Sequence, residues 1–315
     1  MPTIAPTGSH EAVSIRSAAE QTRLSWARPI RSLDEVPAIY LPFFEALPAG
    51  MPFPYSVLTP TYAGFMRRET ERLICCLDEH LYILEKSPSE LKNTCLPLSS
   101  VNYVEMGAVL LKAWFKVQGL SEQGVLTTIM LRFNTVTDWL FKPFVEQIRG
   151  LTSAAINPDL DDVDQKLDSA DWLTYKFRNY ARSSLAHGPH LITVAVQREI
   201  RHPIVRFGRW SYQRTDATAH VYLVTDRELI VISDDLESPS WQDNTRYGGI
   251  WDYVPLSKIE QLTLVAKNAH VLALLIGLSH GGEMECPFAP ARRDEAERLL
   301  HCLLEWAPEA ALVRN

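Results

Sequence analysis

The chain has 315 residues, of which 46% are hydrophobic and 22% are charged, and its formal net charge at pH 7 is −7. This composition is typical of a globular protein, and it excludes collagen-like, fully disordered and disulfide-framework classes. The negative balance also disfavours nucleic acid as a partner, because broad nucleic-acid binding needs a dense cationic face.

The first 50 residues are rich in Pro, Ser, Thr and Ala and lack periodic apolar positions before residues 39–47. We interpret residues 1–50 as an N-terminal arm that is partly disordered and whose end packs on the body. No basic segment followed by an apolar run opens the chain, and the longest strongly apolar stretch, 271–278, is far shorter than the ~20 residues that span a bilayer. The five cysteines show no C-x-x-C spacing, which favours reduced thiols and a cytoplasmic location.

A weak internal repeat follows, with one copy in each half of the chain. Each copy contains two apolar runs separated by a short polar pair, Asp78 and Glu79 in the first copy and Asp226 and Arg227 in the second. A short polar pair with an Asp between apolar runs predicts a β-hairpin. Each half is therefore expected to contain a strand, a tight turn and a strand.

The later elements of the two copies also match in order. Pro97 and Pro255 each open a P-L-S segment that precedes a strand, where the missing N–H of proline costs least. Short strands rich in branched and aromatic residues come next, and apolar residues then recur at helical spacing in residues 139–148 and 299–306. The sequence thus predicts antiparallel strands closed by one helix in each half. The alternative is two unrelated β-rich domains that look alike by chance.

Residues 152–171 carry six aspartates and a single lysine, which predicts a solvated acidic linker. Apolar positions from Trp172 to Leu185 can share one helical face and predict a short helix after it. The expected organisation is an arm at 1–50, a first domain at 51–150, a linker with a short helix at 151–189, and a second domain at 190–315.

The hairpin with its D-E/R-x-L turn, the P-L-S strand and the single C-terminal helix, in this order, resemble a pleckstrin-homology-like domain of the bacterial or GRAM type, twice in tandem over residues 54–150 and 191–306. The resemblance implies an α+β, mainly β fold of two partly open antiparallel barrels, each capped by its C-terminal helix. It also implies a module that binds membranes, phosphorylated headgroups or protein segments. The sequence departs from the family pattern in an insert at 237–249 and in first strands that are hard to place, so the strand count stays open.

The strongest local charge feature lies between Lys176 and Arg214, where eight cationic residues face one acid, Glu199. Arginines pair bidentately with phosphate oxygens, and neighbouring aromatic residues suit a membrane interface. The candidate anion-binding residues are Arg198, Arg201, Arg206, Arg209 and Arg214. The plainer alternative is that these arginines pair with the acidic linker and the acidic surface of the second half. An acidic protein partner is a third interpretation.

Other chemistry is weakly represented. The aspartates at 161, 162, 164 and 168 lack the Gly and terminal Glu of a calcium loop, and no G-x-S-x-G or Gly-rich phosphate loop occurs. The adjacent Cys75 and Cys76 lie in an apolar run, where a buried structural role is favoured over nucleophilic catalysis. The aromatic residues between 114 and 144 are expected to fill the core. No catalytic residue, metal site or cofactor is predicted.

The sequence therefore predicts a non-enzymatic binding or scaffolding module, cytoplasmic or peripheral at the membrane, that docks an anionic lipid or phosphorylated ligand through residues 198–214. The alternative is a protein–protein or self-association module, a homo-oligomer included, that binds no lipid. The third class is an enzyme with an unrecognised site.

Overall fold

The computed structural model describes residues 26–63, 68–87, 90–151, 160–185, 189–207, 210–237 and 246–313. The fold is α+β and mainly β, as predicted, and in this part of the chain no sheet closes into a barrel. The strands, in chain order, are β1 (Arg28–Ile30), β2 (Ser56–Leu58), β3 (Tyr62–Ala63), β4 (Arg68–Glu69), β5 (Arg72–Leu77), β6 (His80–Lys86), β7 (Leu91–Pro97), β8 (Val101–Val109), β9 (Lys112–Leu120), β10 (Leu126–Asn134), β11 (Leu191–Gln197), β12 (Ile200–Phe207), β13 (Trp210–Ala217), β14 (His220–Thr225), β15 (Glu228–Ser233), β16 (Gly249–Pro255), β17 (Ile259–Ala266), β18 (Leu272–Leu278), β19 (Gly282–Phe288) and β20 (Ala311–Leu312). The α-helices are α1 (Leu41–Glu45), α2 (Lys142–Ile148), α3 (Leu160–Asp168), α4 (Tyr175–Leu185) and α5 (Arg293–Trp306).

The first sheet has five antiparallel strands in the order β1-β2-β5-β6-β7. The hairpin predicted at Asp78 and Glu79 is confirmed: both residues have positive φ, 46° and 62°, and Leu77 pairs with His80 across the turn. A two-residue turn with φ positive at both positions matches the twist of the flanking strands. The edge strand of this sheet, β1, belongs to the predicted arm at 1–50, and Tyr40 of the same segment is fully buried. Residues 26–50 are thus packed on the sheet, whereas residues 1–25 of the arm lie outside the described residues.

The second sheet contains strands from both halves of the chain. Its seven strands run β10-β9-β8-β16-β15-β14-β11, and β8 joins the halves by pairing with β16 in antiparallel register from Gly249 opposite Ala108 to Tyr253 opposite Val104. Glycine is required where this pairing begins, because a Cβ at Gly248, whose φ is +74°, would lie 2.0 Å from the carbonyl oxygen of Ala108. The two expected domains therefore share one sheet.

The third sheet, of order β19-β18-β17-β20, packs against α5. Helix α5 presents Leu299, Leu300 and Leu303 to a core that also contains Leu274 of β18 and Phe288 of β19. Two short ribbons complete the strands, β3 with β4 and β12 with β13. Both predicted terminal helices are present as α2 and α5.

The largest apolar core also takes side chains from both halves, from Val57 and Phe115 in the first to Leu223 and Ile232 in the second. The sequence instead predicts two domains, at 51–150 and 190–315, joined by a linker with a short helix. That expectation followed local patterns, whereas pairing between β8 and β16 is a contact between distant segments that local patterns do not encode. The predicted core aromatics are confirmed for four phenylalanines, Phe115, Phe133, Phe141 and Phe144, but Trp139 is 55% exposed.

The segment expected as a solvated acidic linker is partly helical. Within α3, Val163 and Leu167 are buried in the shared core, and the aspartates of the helix point outward. The acidic composition concealed a narrow apolar stripe at positions i and i+4, which is enough to dock a short helix on a sheet. Among the described residues, no helix is both long and apolar enough to cross a bilayer.

Candidate functional site

A cleft with a cavity volume of about 400 Å³ opens beside the start of α4 and the ends of β11 and β14. It is the place where two of the predicted arginines, Arg198 and Arg201, come together with Lys176. The residues that line it are Trp172, Thr174, Lys176, Phe177, Val196, Gln197, Arg198, Glu199, Arg201, Ala219, His220 and Asp234. Three cationic side chains and two carboxylates thus face the same concavity.

Arg198 is exposed in the mouth of the cleft, and in the described part of the chain it makes no ion pair. Its guanidinium lies 5.4 Å from the ring centroid of Trp172, while Arg292 covers the same indole at 4.4 Å. Trp172 is half exposed and has a positive φ of 68°, which is rare for a bulky residue. It lies before α4, which begins at Tyr175, so the predicted helical face does not extend to it. This arrangement leaves the hydrogen-bonding edge of Arg198 available to an anion.

Glu199 anchors Arg201 in the cleft and Arg246 beside it. One carboxylate oxygen accepts hydrogen bonds from Arg246 at 2.7 Å and from Thr215 at 2.8 Å, and the other accepts one from Arg201. Burial acts to raise the pKa of Glu199, but the hydrogen bonds from Arg201, Arg246 and Thr215 outweigh burial and hold the pKa below its ordinary value. Glu199 is therefore ionised at neutral pH and fixes the position of Arg201.

Lys176 reaches into the cleft from α4 and is paired with Asp234. The same ammonium group donates to the backbone oxygen of Arg246 at 2.7 Å. Burial raises the pKa of Asp234, although the hydrogen bond from Lys176 opposes the rise. Burial also lowers the pKa of His220 to about 4, so this imidazole is neutral at pH 7 and adds no charge to the cleft. The cleft therefore has a net positive charge, because three cationic side chains outnumber two carboxylates.

The other predicted site residues are placed differently. Arg214 lies on the β12–β13 ribbon, 68% exposed, with its Nε 3.9 Å from a carboxylate oxygen of Asp216. The side chain of Arg206 and the whole of Arg209 lie outside the described residues. The structure brings two of the five candidate arginines to one concavity. It adds Lys176 and Trp172, which are not among the site residues predicted from the sequence.

The alternative prediction is that the basic residues pair with the acidic linker. Two of them do so. Arg178 lies 2.5 Å from Asp168, and Arg182 lies 3.2 Å from Asp164. These exposed pairs contribute little to stability. Arg178 and Arg182 thus hold α4 against α3 and leave the cleft to Arg198, Arg201 and Lys176.

The β12–β13 ribbon adjoins the cleft and exposes apolar side chains. Ile204, Val205 and Tyr212 are 51%, 55% and 71% exposed. At the base of the ribbon, the ring of His202 stacks on His270 at 4.4 Å between centroids and lies 2.5 Å from Asp216. The ribbon is thus anchored at its base and presents apolar groups beside the cationic cleft.

The predicted burial of Cys75 and Cys76 is confirmed, with side chains on opposite faces of β5. Burial raises the pKa of the Cys75 thiol to about 12 and that of Cys76 to about 11. Both thiols are therefore protonated at neutral pH, which is the opposite of what an activated nucleophile requires.

A comparison with models of known protein families gives no match for this chain, and a search among curated proteins gives no relative. The functional conclusion therefore depends on the geometry of the cleft and its surroundings.

Proposed function

We propose that this chain is a non-enzymatic docking module, built from two pleckstrin-homology-like units, that binds a phosphorylated headgroup at a membrane surface through the cleft beside Trp172. The observation that carries the proposal is Arg198, an exposed guanidinium that stacks on Trp172 at the mouth of the cleft and has no ion pair among the described residues.

The order of elements supports the pleckstrin-homology-like part of the proposal. In the first half, strands β5 to β7 lead into a 3-10 turn, strands β8 to β10 and helix α2, and in the second half β14 to β16 lead into a 3-10 turn, β17 to β19 and α5. The prolines before the two turns adopt the same backbone conformation, with φ and ψ of −56° and 132° at Pro97 and −58° and 133° at Pro255. A two-stranded ribbon precedes the first hairpin of each half. The sheets remain open, and the second unit is joined to the first through β8 and β16.

The chemistry of the cleft suits a phosphate group. A guanidinium offers paired N–H donors that match two phosphate oxygens, and stacking on an indole fixes its plane without using those donors. Lys176 and Arg201 stand in the same cleft and add positive potential, although each already contacts a carboxylate. The cavity volume of about 400 Å³ lies within the range of small-molecule sites.

The ribbon favours a lipid headgroup as the source of the phosphate. Ile204, Val205 and Tyr212 are exposed beside Arg214, and apolar and aromatic groups mixed with cations are typical of surfaces that rest on a bilayer interface. A headgroup in the cleft would place this ribbon against the membrane.

Co-sedimentation of the full chain with vesicles tests the proposal. We expect binding to phosphatidylinositol-phosphate vesicles, weaker binding at higher salt, and no binding to neutral phosphatidylcholine vesicles. Arg198→Ala should weaken binding about fivefold, the effect of about 1 kcal/mol for one basic residue at the surface. Arg28→Ala, which removes an exposed arginine on β1 in the other half of the chain, is the matched control and should leave binding unchanged.

A soluble inositol phosphate and inorganic phosphate form the arms without a membrane. Competition by the soluble inositol phosphate identifies the headgroup as the ligand, whereas binding of soluble ligands without any vesicle binding assigns the cleft to a free phosphorylated molecule. Vesicle binding that is equal for neutral and anionic lipids, or that is indifferent to Arg198→Ala, contradicts the proposal.

A second candidate function is association with protein, and one surface favours it. Leu110, Leu111, Val136 and Trp139 are each more than half exposed. Thr135, next to Val136, donates from its hydroxyl to the backbone oxygen of Leu110 at 2.7 Å and from its amide to that of Leu111 at 3.3 Å. Trp139 follows Val136 in the same 3-10 segment. Clustered exposed apolar groups mark protein interfaces. A molecular mass in solution that rises with protein concentration, in a chain that binds no lipid, would assign the chain to this second function.

A further inference from the structure

Three side chains with metal-binding atoms meet at one end of the five-stranded sheet, far from the cleft residues in sequence. His80 opens β6, Cys95 lies in β7, and Glu122 lies in the turn between β9 and β10. The imidazole nitrogen, the thiol sulfur and a carboxylate oxygen all lie within 4.8 Å of one another, and Nε2 of His80 is 3.7 Å from Oε1 of Glu122. No local sequence pattern predicts this cluster, because its members come from three separate segments.

The separations are close to those that a tetrahedral metal requires. With metal–nitrogen and metal–oxygen bonds of about 2.0–2.1 Å and a metal–sulfur bond of about 2.3 Å, neighbouring ligand atoms lie roughly 3.3–3.7 Å apart. The histidine and glutamate already meet this spacing. The Cys95 sulfur lies within 4.8 Å of both other ligand atoms. The remaining difference is therefore at most about 1 Å, which rotation of the partly exposed side chains of His80 and Glu122 can supply.

The backbone around the cluster holds the ligands in place. The amide of Glu122 donates to the carbonyl oxygen of Cys95 at 3.1 Å, which fixes the β9–β10 turn against β7. Nδ1 of His80 lies 2.6 Å from the carbonyl oxygen of Asp78. A carbonyl can only accept, so Nδ1 carries a proton and donates it, and the other ring nitrogen, Nε2, faces Glu122. A backbone carbonyl that orients the histidine from behind is the usual outer partner of a metal-binding imidazole.

We propose that His80, Cys95 and Glu122 bind Zn²⁺, with the fourth position open to water or to an exogenous ligand. One nitrogen, one sulfur and one oxygen form a donor set that zinc accepts, whereas magnesium and calcium prefer oxygen alone. The thiol proton leaves to solvent on binding, and the thiolate and carboxylate then balance the two positive charges of the ion. Without metal, the thiol of Cys95 is a hydrogen-bond donor to Glu122, which is the plain polar cluster that the experiment must distinguish.

Binding of Zn²⁺ and Co²⁺ to the chelator-treated full chain tests the site. We expect one equivalent of Zn²⁺ by calorimetry, and a thiolate-to-cobalt charge-transfer band in the near ultraviolet when Co²⁺ is added. His80→Gln and Glu122→Gln, which alter the exposed members, should weaken Zn²⁺ binding more than the about 10- to 100-fold that loss of an outer partner costs. Cys95→Ser should abolish the charge-transfer band.

Cys302→Ser is the matched control, because Cys302 lies on α5, away from the cluster, and its removal should leave both readouts unchanged. Should Cys95→Ser fail to fold, the two surface variants still decide the question, since neither side chain is part of the core. A wild-type chain that gives no charge-transfer band, or Zn²⁺ affinity that His80→Gln leaves unchanged, overturns the proposal.

Discussion

At the scale of single residues, a carboxyl pair at the junction of the two halves links stability to pH. Asp252 of β16 lies directly opposite Glu105 of β8, and Glu105 also accepts hydrogen bonds from Trp114 at 2.5 Å and Lys116 at 2.6 Å. Burial, and then the charge and hydrogen bond of Glu105, raise the pKa of Asp252 well above its ordinary value. Asp252 therefore keeps its proton to a higher pH than an ordinary aspartate, and the hydrogen bond with Glu105 favours this protonated form.

We expect Asp252 to contribute stability that is lost as pH rises. The folded chain keeps a proton that the unfolded chain loses above the ordinary Asp pKa, so stability decreases from that pH up to the raised pKa, by up to about 1.4 kcal/mol per pH unit. Asp252→Asn keeps a hydrogen-bond donor to Glu105 but removes the group that titrates. In urea titrations, we expect the variant to match the wild type at pH 4 and to exceed it at pH 8.

Glu260→Gln on β17 removes an exposed carboxylate and controls for the loss of one negative charge. A variant Asp252→Asn that is no more stable than the wild type at pH 8 would show that Asp252 is already ionised there.

Among the elements, the two hairpins reach the same shape by different turn chemistry. Between β5 and β6, Asp78 and Glu79 are both left-handed. Between β14 and β15, neither turn residue has a positive φ, and the hydroxyl of Thr225 instead accepts from the amides of Arg227 and Glu228. The first turn therefore carries a backbone cost that the second avoids.

Glu79→Gly should relieve that cost and raise the free energy of unfolding by about 1 kcal/mol, because glycine adopts φ near 60° without a Cβ penalty. Chemical denaturation measures the change. Arg227→Gly in the other hairpin is the matched control, and we expect it to be destabilising by about 0.5–1 kcal/mol, since only chain entropy is lost there. Equal effects of the two substitutions would refute the assignment of strain to Glu79.

At the scale of the whole molecule, the β8–β16 pair makes the two halves one folding unit. The seven-stranded sheet and the largest core both cross it. A glycine lies at the start of this joint, and a Cβ at Gly248 would meet the backbone of Ala108 on β8. The chain can approach β8 there only because that side chain is absent.

Gly248→Ala should therefore destabilise the whole chain. Gly124→Ala is its matched control, because Gly124 has the same φ of +74° but nothing lies within 4 Å of its added Cβ. Both variants bear the left-handed cost of about 1–2 kcal/mol, and we expect Gly248→Ala to lose a further about 1–3 kcal/mol from the clash. Thermal unfolding followed by circular dichroism measures both, and similar losses would mean that the joint tolerates a wider spacing.

Much of the local structure could be predicted from the sequence, and the long-range pairing could not. The turns at Asp78 and Asp226 and the helices after Pro143 and Pro290 are specified by neighbouring residues. The contact of β8 with β16, by contrast, depends on strand register between distant segments. For the site, the density of positive charge in the sequence predicted Arg198 and Arg201. The position of Trp172 in the cleft depends on a left-handed backbone conformation that no local sequence pattern predicts.

Trp172 also makes the cleft accessible to fluorescence measurements. Its indole is covered by two guanidiniums, one of which, Arg198, is the group proposed to pair with a phosphate. An anion that pairs with a charge stacked on an indole changes the energy of the excited state of the indole, so occupancy should alter the fluorescence emission of this one tryptophan. The difference between the wild type and Trp172→Phe then isolates that signal, and ligands can be screened in solution without a label.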